Sequence, residues 1–365
     1  MSGAIGATPY AGYGTMTSLI ADARTVRQKL DQLTTQASTG LIGQTYAALG
    51  AGAAVSLTLR PQIAALQTWQ ANIAAATGTM GVTQTAMTQL QAIASSFNAQ
   101  LNNLNGLNPS EVDTIAASAR DALGQVATLL DTTDGNTYVF GGADTANPPV
   151  PNPDAILSSG FYSQINAAVG GLGGAGAAAT AAATLAVAGS NAPGTSPFSA
   201  YMSQPAATLQ AQGPVVQTGI GRTQPIGLLA SANTAIASTG GSTTGSYTRD
   251  LMRALATIGS LSSAQVGDAG FQGLVQDTRT SLGGVITAMA QDAGVLGNRQ
   301  TALSTASTQM SSTVTALTAQ VSPAENVDMA QTLSDLSLVQ TQLQSSYQLI
   351  SGQSGLSLVK FLPLG

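Results

Sequence analysis

Both ends of this chain carry apolar residues at alternating steps of three and four, the spacing that lines one face of a helix. Near the N-terminus these positions are Met16, Leu19, Ala23, Val26, Leu30, Leu33 and Ala37. Near the C-terminus they are Leu333, Leu336, Leu343, Tyr347 and Ile350, with polar Gln340 between them. Each helix needs a partner, because alone it would leave its apolar face in water. The two ends therefore predict a chain that associates, and they favour assembly over catalysis.

The composition excludes most enzyme classes. The 365 residues contain no cysteine and no histidine, which removes disulfides, thiolate nucleophiles, histidine bases and the usual zinc ligands. We therefore expect no catalytic site, no cofactor and no metal. Only 7% of residues are charged, the net charge is −5, and no basic patch is present, so neither nucleic acid nor an anionic membrane is an expected partner.

Three local patterns could suggest ligand chemistry, and we favour a structural interpretation of each. The glycine tract at 170–176 lacks the Gly-Lys-Ser/Thr of a phosphate loop and resembles low-complexity sequence. Asp131, Asp134 and Asp144 flank a turn, which explains them without a metal. The acidic segment at 325–328 precedes a helix, where acids act as caps.

Long helices are predicted in both halves of the chain. Their approximate ranges are 16–39, 61–104, 109–133, 282–321 and 326–350, with Pro323 expected to end the fourth. The second has residues in strict sevens, typical of a coiled coil: Leu66, Ile73, Met80, Met87, Ala94 and Leu101, interleaved with Trp69, Ala76, Thr83, Leu90, Phe97 and Leu104. The third has an apolar stripe at Val112, Ala116, Ala119, Leu123, Val126 and Leu130. The fourth has one at Leu282, Ile286, Met289, Ala293, Leu296, Leu303, Met310, Val314, Leu317 and Val321. An Asp-Gly-Asn turn at 134–136 precedes a short β-prone run, and an apolar tail follows the last helix.

The middle of the chain differs in composition from both halves. Residues 155–247 contain one charged residue, Arg222, and have β-like pieces broken by glycine and proline. The uncharged run at 167–189 is mostly Ala, Gly and Thr, which does not favour insertion into a membrane. A helix over 251–261 is expected to lead back into the C-terminal half.

Together these patterns predict a mainly α fold. A long antiparallel coiled-coil rod would be formed by the N- and C-terminal halves and would carry a small β or irregular inserted outer domain. The expected divisions are an N-terminal arm and assembly helix (1–45), the two rod halves (46–150 and 249–322), the charge-poor outer domain (151–248), and a C-terminal assembly helix with its apolar tail (323–365).

Four segments, in order, resemble the bacterial flagellin family and are most similar to its hook–filament junction proteins (the third hook-associated protein). The segment at 36–40, QASTG, is similar to the motif that ends the first flagellin helix, and 134–142, DGNTYVFGG, to a junction-protein segment. The stretch at 294–300, GVLGNRQ, resembles part of the long C-terminal helix, and 328–361 resembles the junction protein's terminal helix. The resemblance covers about 15–150 and 250–365.

The resemblance implies a secreted structural subunit of the extracellular bacterial flagellum, used for motility. Its partners would be further copies of itself, neighbouring flagellar axial proteins, an export chaperone and the flagellar type III export apparatus. The expected assembly interface is formed by apolar residues of both ends: Met16, Leu19, Val26, Leu30, Leu33, Leu333, Leu336, Leu343, Tyr347, Ile350, Leu358 and Phe361. The alternative is a flagellin-like cell-surface protein whose outer domain binds glycans.

Overall fold

The structure is a computed structural model that describes residues 11–102, 104 and 108–355. Its α-helices are α1 Ala11–Thr39, α2 Ala53–Leu101, α3 Pro109–Leu130, α4 Gly160–Gly170, α5 Leu172–Gly189, α6 Ala206–Ala211, α7 Tyr247–Gly259, α8 Phe271–Glu325 and α9 Met329–Gly355. Its strands are β1 Thr133–Asp134, β2 Thr137–Tyr138, β3 Val215–Gly219 and β4 Arg222–Pro225. The apolar tail predicted at 356–362 lies outside the described residues.

The mainly helical fold class is confirmed, and two predicted helix boundaries are wrong: the beginning of the second helix near 61 and the end of the fourth before Pro323. Helix α2 begins at Ala53 and contains Pro61, while α8 continues through Pro323 to Glu325. A proline inside a helix leaves the carbonyl four residues earlier without its hydrogen bond. Those carbonyls belong to Leu57 and Ala319, which are both exposed, so water can take the place of the missing donor.

The chain divides into two compact units, and α2 and α8 contribute to both. The first unit consists of the chain up to Leu66 and from Ser312 onward, and the second is Gln67–Ser311. In the second unit the apolar periodicity correctly predicted the core. The buried side chains include the whole predicted stripe of α3 and most of those of α2 and α8: Ile73, Met80, Met87, Leu90, Phe97, Val112, Ala116, Ala119, Leu123, Val126, Leu130, Leu282, Met289, Leu296 and Leu303.

Helix α7 lies at the centre of the second unit, where it packs against α3, α4 and α5. All of its residues are buried, including Arg249, Asp250 and Arg253. The Arg249 guanidinium donates to the carbonyls of residues 188, 190 and 231, and stacks over the Phe198 ring at 5.0 Å. Polar partners of this kind offset the cost of burying charged side chains. The helix predicted to lead from the insert back into the C-terminal half is therefore a central core element of the second unit.

The inserted segment was predicted to be mostly β or irregular, and this is wrong where helices form: it contains one β-hairpin, where β-like pieces were predicted, and also the helices α4, α5 and α6. Strands β3 and β4 pair antiparallel, whereas the glycine-rich stretch expected to be loop or low-complexity packing forms α4 and α5. Helix α5 packs against α7, and its buried residues recur every four positions at Thr180, Thr184 and Ala188. The alanine-rich part of α5 favours helix, and the glycines at its beginning coincide with the break at Gly176.

One of the described helices, α5, is long and apolar enough to cross a membrane by length and composition alone. Its backbone leaves the helical conformation at Gly176, where φ is 78° and ψ is 168°. Such a break leaves backbone groups without helical hydrogen bonds, which hydrocarbon would not satisfy. The break and the packing on α7 both suit a helix of a packed domain.

Candidate assembly surface

Helices α1 and α9 of the first unit pack side by side and run antiparallel. The chain leaving α1 pairs with the chain entering α9: the Ile42 amide donates to the Glu325 carbonyl at 2.7 Å, and the Val327 amide to the Gly40 carbonyl at 3.0 Å. Gly40 ends α1 with a φ of +73°, which glycine adopts without strain. The Gln36 side chain donates to the Ile42 carbonyl at 2.9 Å. The first and last residues of the QASTG motif thus shape this junction.

A buried carboxylate holds the same junction to the beginning of α2. Glu325 is 8% exposed and accepts hydrogen bonds from the buried Ser56 hydroxyl and from Nε of Arg60, the latter at 3.0 Å. Arg60 also donates through Nη2 to the second carboxylate oxygen. The Arg60 hydrogen bond is the main reason that the pKa of Glu325 lies below its ordinary value, and Ser56 adds to it against the opposing effect of burial. We call Glu325, Arg60 and Ser56 the carboxylate clamp.

The capping prediction for the segment at 325–328 is right for one acid and missed the role of the other. Asp328 caps α9, since its Oδ1 accepts from the amides of residues 330 and 331 at 2.9 and 3.1 Å. Glu325 instead ends α8 and belongs to the clamp. The sequence held one usable signal, because an acid that ends a helix is unfavourable there and needs a cationic partner.

The predicted interface residues fall into three groups. Leu33 is buried, and Leu19, Val26, Leu30, Leu336, Leu343 and Ile350 are half-buried. Leu333 and Tyr347 are 52% and 49% exposed. The Met16 side chain, Leu358 and Phe361 lie outside the described residues. Within the α1–α9 pair, most of the predicted positions are therefore partly buried, and Leu333 and Tyr347 remain exposed.

Several exposed apolar residues of the pair were missed by the sequence patterns. They are Ile20 on α1 and Met329, Leu338 and Leu349 on α9, between 40% and 67% exposed. Ile20, Leu338 and Leu349 lie off the heptad positions, so a search for one apolar stripe passes over them. Met329 is on the heptad spacing, four residues before Leu333, and extends the predicted stripe by one position. A second stripe was detectable, because positions 338 and 349 are eleven residues apart and therefore point in nearly the same direction on a helix.

The exposed apolar residues of α9 lie on two sides of the face that packs on α1. At 100° per residue, Met329, Leu333 and Tyr347 fall within roughly 40° of one another. Leu338 and Leu349 fall on the opposite flank, roughly 160° away from the first group. The half-buried Leu336, Leu343 and Ile350 lie nearer to the first flank, on the side of the helix that meets α1. The pair therefore presents two apolar flanks to its surroundings.

The described residues hold no group of three or more acidic side chains that could bind a metal. Asp131 accepts from the Val150 amide, Asp134 from the Thr79 hydroxyl, and Asp144 from an asparagine side chain. Burial raises the pKa of Asp131 to about 6, against the opposing effect of the Val150 amide. Each of these acids thus has its own local partner.

Comparison with protein families identifies two matching regions. Residues 15–145 match the bacterial flagellin N-terminal helical region, and residues 280–362 match the bacterial flagellin C-terminal helical region. Together they cover more than half of the chain. No individual curated protein matches it significantly. Flagellins are structural, non-enzymatic proteins that self-assemble into the extracellular flagellar filament. The paired terminal helices and both family matches lead to the same conclusion: this chain belongs to the bacterial flagellin family and is a structural subunit of the flagellum.

Proposed function

We propose that this subunit assembles through the two apolar flanks of the α1–α9 pair. The observation that supports this best is the exposure of large apolar side chains on α9, led by Leu338 at 67% and Leu349 at 62%. Rows of such side chains are a liability on an isolated soluble protein and are typical of surfaces that a partner covers. Since the two flanks face different directions, each subunit would contact at least two neighbours.

Contacts of this kind produce an open array. A flank of one subunit would meet a different surface of the next, which is a heterologous contact, and such contacts propagate into helical polymers unless the rotation closes a ring. The predicted interface residues at both ends, Leu358 and Phe361 included, belong to this proposal. We also propose that the chain has the five-part organisation described above. The subunit would be exported with the help of a chaperone and the flagellar type III export apparatus.

Single substitutions on α9 test the proposal. Leu338→Ser and Leu349→Ser should each raise the critical concentration for polymerisation about tenfold, because each removes about 1–2 kcal/mol of apolar burial between copies. Gln348→Ser, at an exposed position of α9 roughly 60° from Leu333 and roughly 80° from Leu338, is the matched control and should leave it unchanged. Critical concentrations are measured by sedimentation of purified full-length protein. If both leucine variants polymerise like the unsubstituted protein, the flanks are not the interface.

A coarser test removes each end. Deleting residues 1–40 or 325–365 should abolish polymerisation while the second unit keeps its cooperative thermal unfolding transition. Polymers formed by either truncated protein would contradict assembly through the terminal helices.

Within the flagellum, we further propose a junction-like role. It is supported by the similarity of residues 134–142 and 328–361 to hook–filament junction proteins. A junction subunit is needed in far fewer copies than a filament subunit. Quantitative mass spectrometry of sheared flagella should therefore find this chain as a minor component, and finding it as the main component would assign it to the filament.

A further inference from the structure

The β3–β4 hairpin of the second unit exposes an apolar tip beside an isolated charge. Ile220 lies between two glycines in the turn and is 89% exposed, the largest exposure among the big apolar side chains of the described residues. Arg222, two residues on, is also exposed and is the one charged residue between 155 and 247. A single exposed isoleucine is ordinary by itself, so the argument depends on what could receive it.

The same unit contains an open groove whose lining matches the tip. The groove has a volume of about 580 Å³ and is formed by α3 and the 3-10 helix at Pro153–Ser158. Its apolar lining includes Leu129, Ile156 and the 40% exposed Leu157. The carboxylates of Asp121 and Asp154 also line it, together with a single cation, Arg120. The groove therefore combines apolar walls with a net negative charge.

The charges of the tip and of the groove are available for a partner. Within the described part of the chain, the charged side chains of Arg222, Asp121 and Asp154 form no ion pair and no hydrogen bond. Arg120, in contrast, already donates to the Gly259 carbonyl at 2.7 Å. An exposed isoleucine with a free cation beside it is complementary to an apolar groove with two free carboxylates.

We propose that the hairpin tip, Ile220 with Arg222, docks into the groove at Leu129 and Leu157 of a second copy of this chain. The hairpin does not fill the groove of its own chain, because Ile220 is almost fully exposed. A tip on one copy and a groove on another form a heterologous contact, which extends into an open array. The proposal rests on the self-assembly proposed above and adds a contact outside the terminal helices.

Disulfide cross-linking tests the contact directly, because the natural chain contains no cysteine. Two full-length single variants, Ile220→Cys and Leu157→Cys, are mixed, polymerised and oxidised. A cross-linked dimer should form in the mixture and in neither variant alone. Val215→Cys, at the exposed base of the same hairpin, replaces Ile220→Cys as the control. It lies about 16 Å from the tip along the strand, beyond the roughly 7 Å between Cα atoms that a disulfide tolerates.

Assembly measurements test the energetics of the contact. Ile220→Ser should raise the critical concentration about tenfold through lost apolar burial. Arg222→Glu and Asp154→Arg should each raise it about threefold, and the double variant should recover most of the loss, because the swapped charges attract again. Thermal unfolding of each monomeric variant checks that it remains folded.

The outcomes separate this inference from the proposed function. If the Ile220→Ser and Arg222→Glu proteins polymerise normally and the mixed cysteine variants give no dimer, docking of the tip is refuted. Assembly through α1 and α9 still stands if the Leu338 and Leu349 variants show the expected rise in critical concentration. If neither the α9 nor the hairpin substitutions affect polymerisation, both proposals are refuted. A dimer in the mixture together with recovery in the charge-swapped double variant establishes the contact.

Discussion

Replacing Glu325 by glutamine tests whether the carboxylate clamp holds the junction between α1 and α9. The Glu325 carboxylate accepts from the Ser56 hydroxyl and from two nitrogens of Arg60. Glutamine has the same shape and keeps one acceptor oxygen. Its amide nitrogen, however, would place a donor where the second carboxylate oxygen now accepts, so one donor of the clamp would lose its acceptor.

The size of the effect follows from how exposed the two partners are. Hydrogen bonds to charged groups contribute about 1.5–3 kcal/mol when the partners are shielded from water. The Glu325 side chain is 10% exposed, but that of Arg60 is 56% exposed, so water screens the pair. We therefore expect Glu325→Gln to destabilise the junction by about 1–1.5 kcal/mol, or roughly tenfold in its opening equilibrium.

Hydrogen exchange at the junction measures this opening. The amides of Ile42 and Val327 donate across it, so their protection reports local separation of the two chain segments. In Glu325→Gln the protection of both amides should fall about tenfold at pH 7. Asp335→Asn, which removes a carboxylate from α9 in the same unit, is the control and should leave both protection factors unchanged.

The clamp also predicts a dependence on pH. The pKa of Glu325 in the folded protein lies below the ordinary value of 4.5, so the clamp stabilises the junction fully above pH 4.5 and this stabilisation is lost as the pH falls through the folded value. Protection at Ile42 and Val327 should therefore fall more steeply on acidification in the natural chain than in Glu325→Gln. Equal protection at pH 7 together with parallel pH profiles would refute the role given to the clamp.

Three further predictions concern the second unit. Burial raises the pKa of Asp131 to about 6, so its ionisation opposes folding at pH 7. Asp131→Asn should raise the free energy of unfolding at pH 7 by about 1–2 kcal/mol. Urea titrations should show the natural chain gaining stability from pH 7 to pH 5, and the variant should lack this gain. Gly142 and Gly135 both have positive φ, but a Cβ at Gly142 would lie 2.9 Å from a leucine methyl, whereas one at Gly135 would meet open space. Gly142→Ala should therefore lower the free energy of unfolding by about 2–3 kcal/mol and Gly135→Ala by only about 1 kcal/mol, as measured by thermal unfolding. Asp292 is buried and accepts hydrogen bonds from two backbone amides and the Tyr247 hydroxyl. Asp292→Ala should lower the free energy of unfolding by about 3 kcal/mol or more in the same assay, because all three donors lose their acceptor. Tyr247→Phe removes only one of these hydrogen bonds and should lower it clearly less.

Burial inside the long helices could be predicted from the sequence because it depends on local periodicity. Met80, Met87 and Leu90 were assigned to the apolar seam from their spacing alone, and each is at most 2% exposed. The beginning of α3 at Pro109 was equally clear, since proline is favourable in the first turn of a helix. In both cases the signal lies within a few residues of the position that it describes.

The central position of α7 could not be predicted in that way. Arg249 and Arg253 are charged, and charged residues are rarely fully buried without partners. Their partners are distant in sequence: Arg249 binds the carbonyls of residues 188 and 231, and Arg253 forms an ion pair with Asp277 at 3.5 Å. Helices α4 and α5 were missed for a different reason: the glycines at 170–176, where the two helices meet, disfavour helix and outweighed the alanine-rich run that follows them.

The candidate site was predictable only in part, and the part that was missed supports the proposal that other copies cover the terminal helices. In α3 every position of the predicted stripe is buried. In α1 and α9, among the side chains described, only Ala23, Leu33 and Thr332 are buried. Heptad spacing identifies which side of a helix meets its partner, but not how completely one partner covers it. A helix such as α9, with apolar residues on the paired side and on both flanks, has more apolar surface than one neighbouring helix can bury. Because α1 already occupies the paired side, the proposed assembly would cover the remaining surface with other copies, and its two directions fit two separate neighbours.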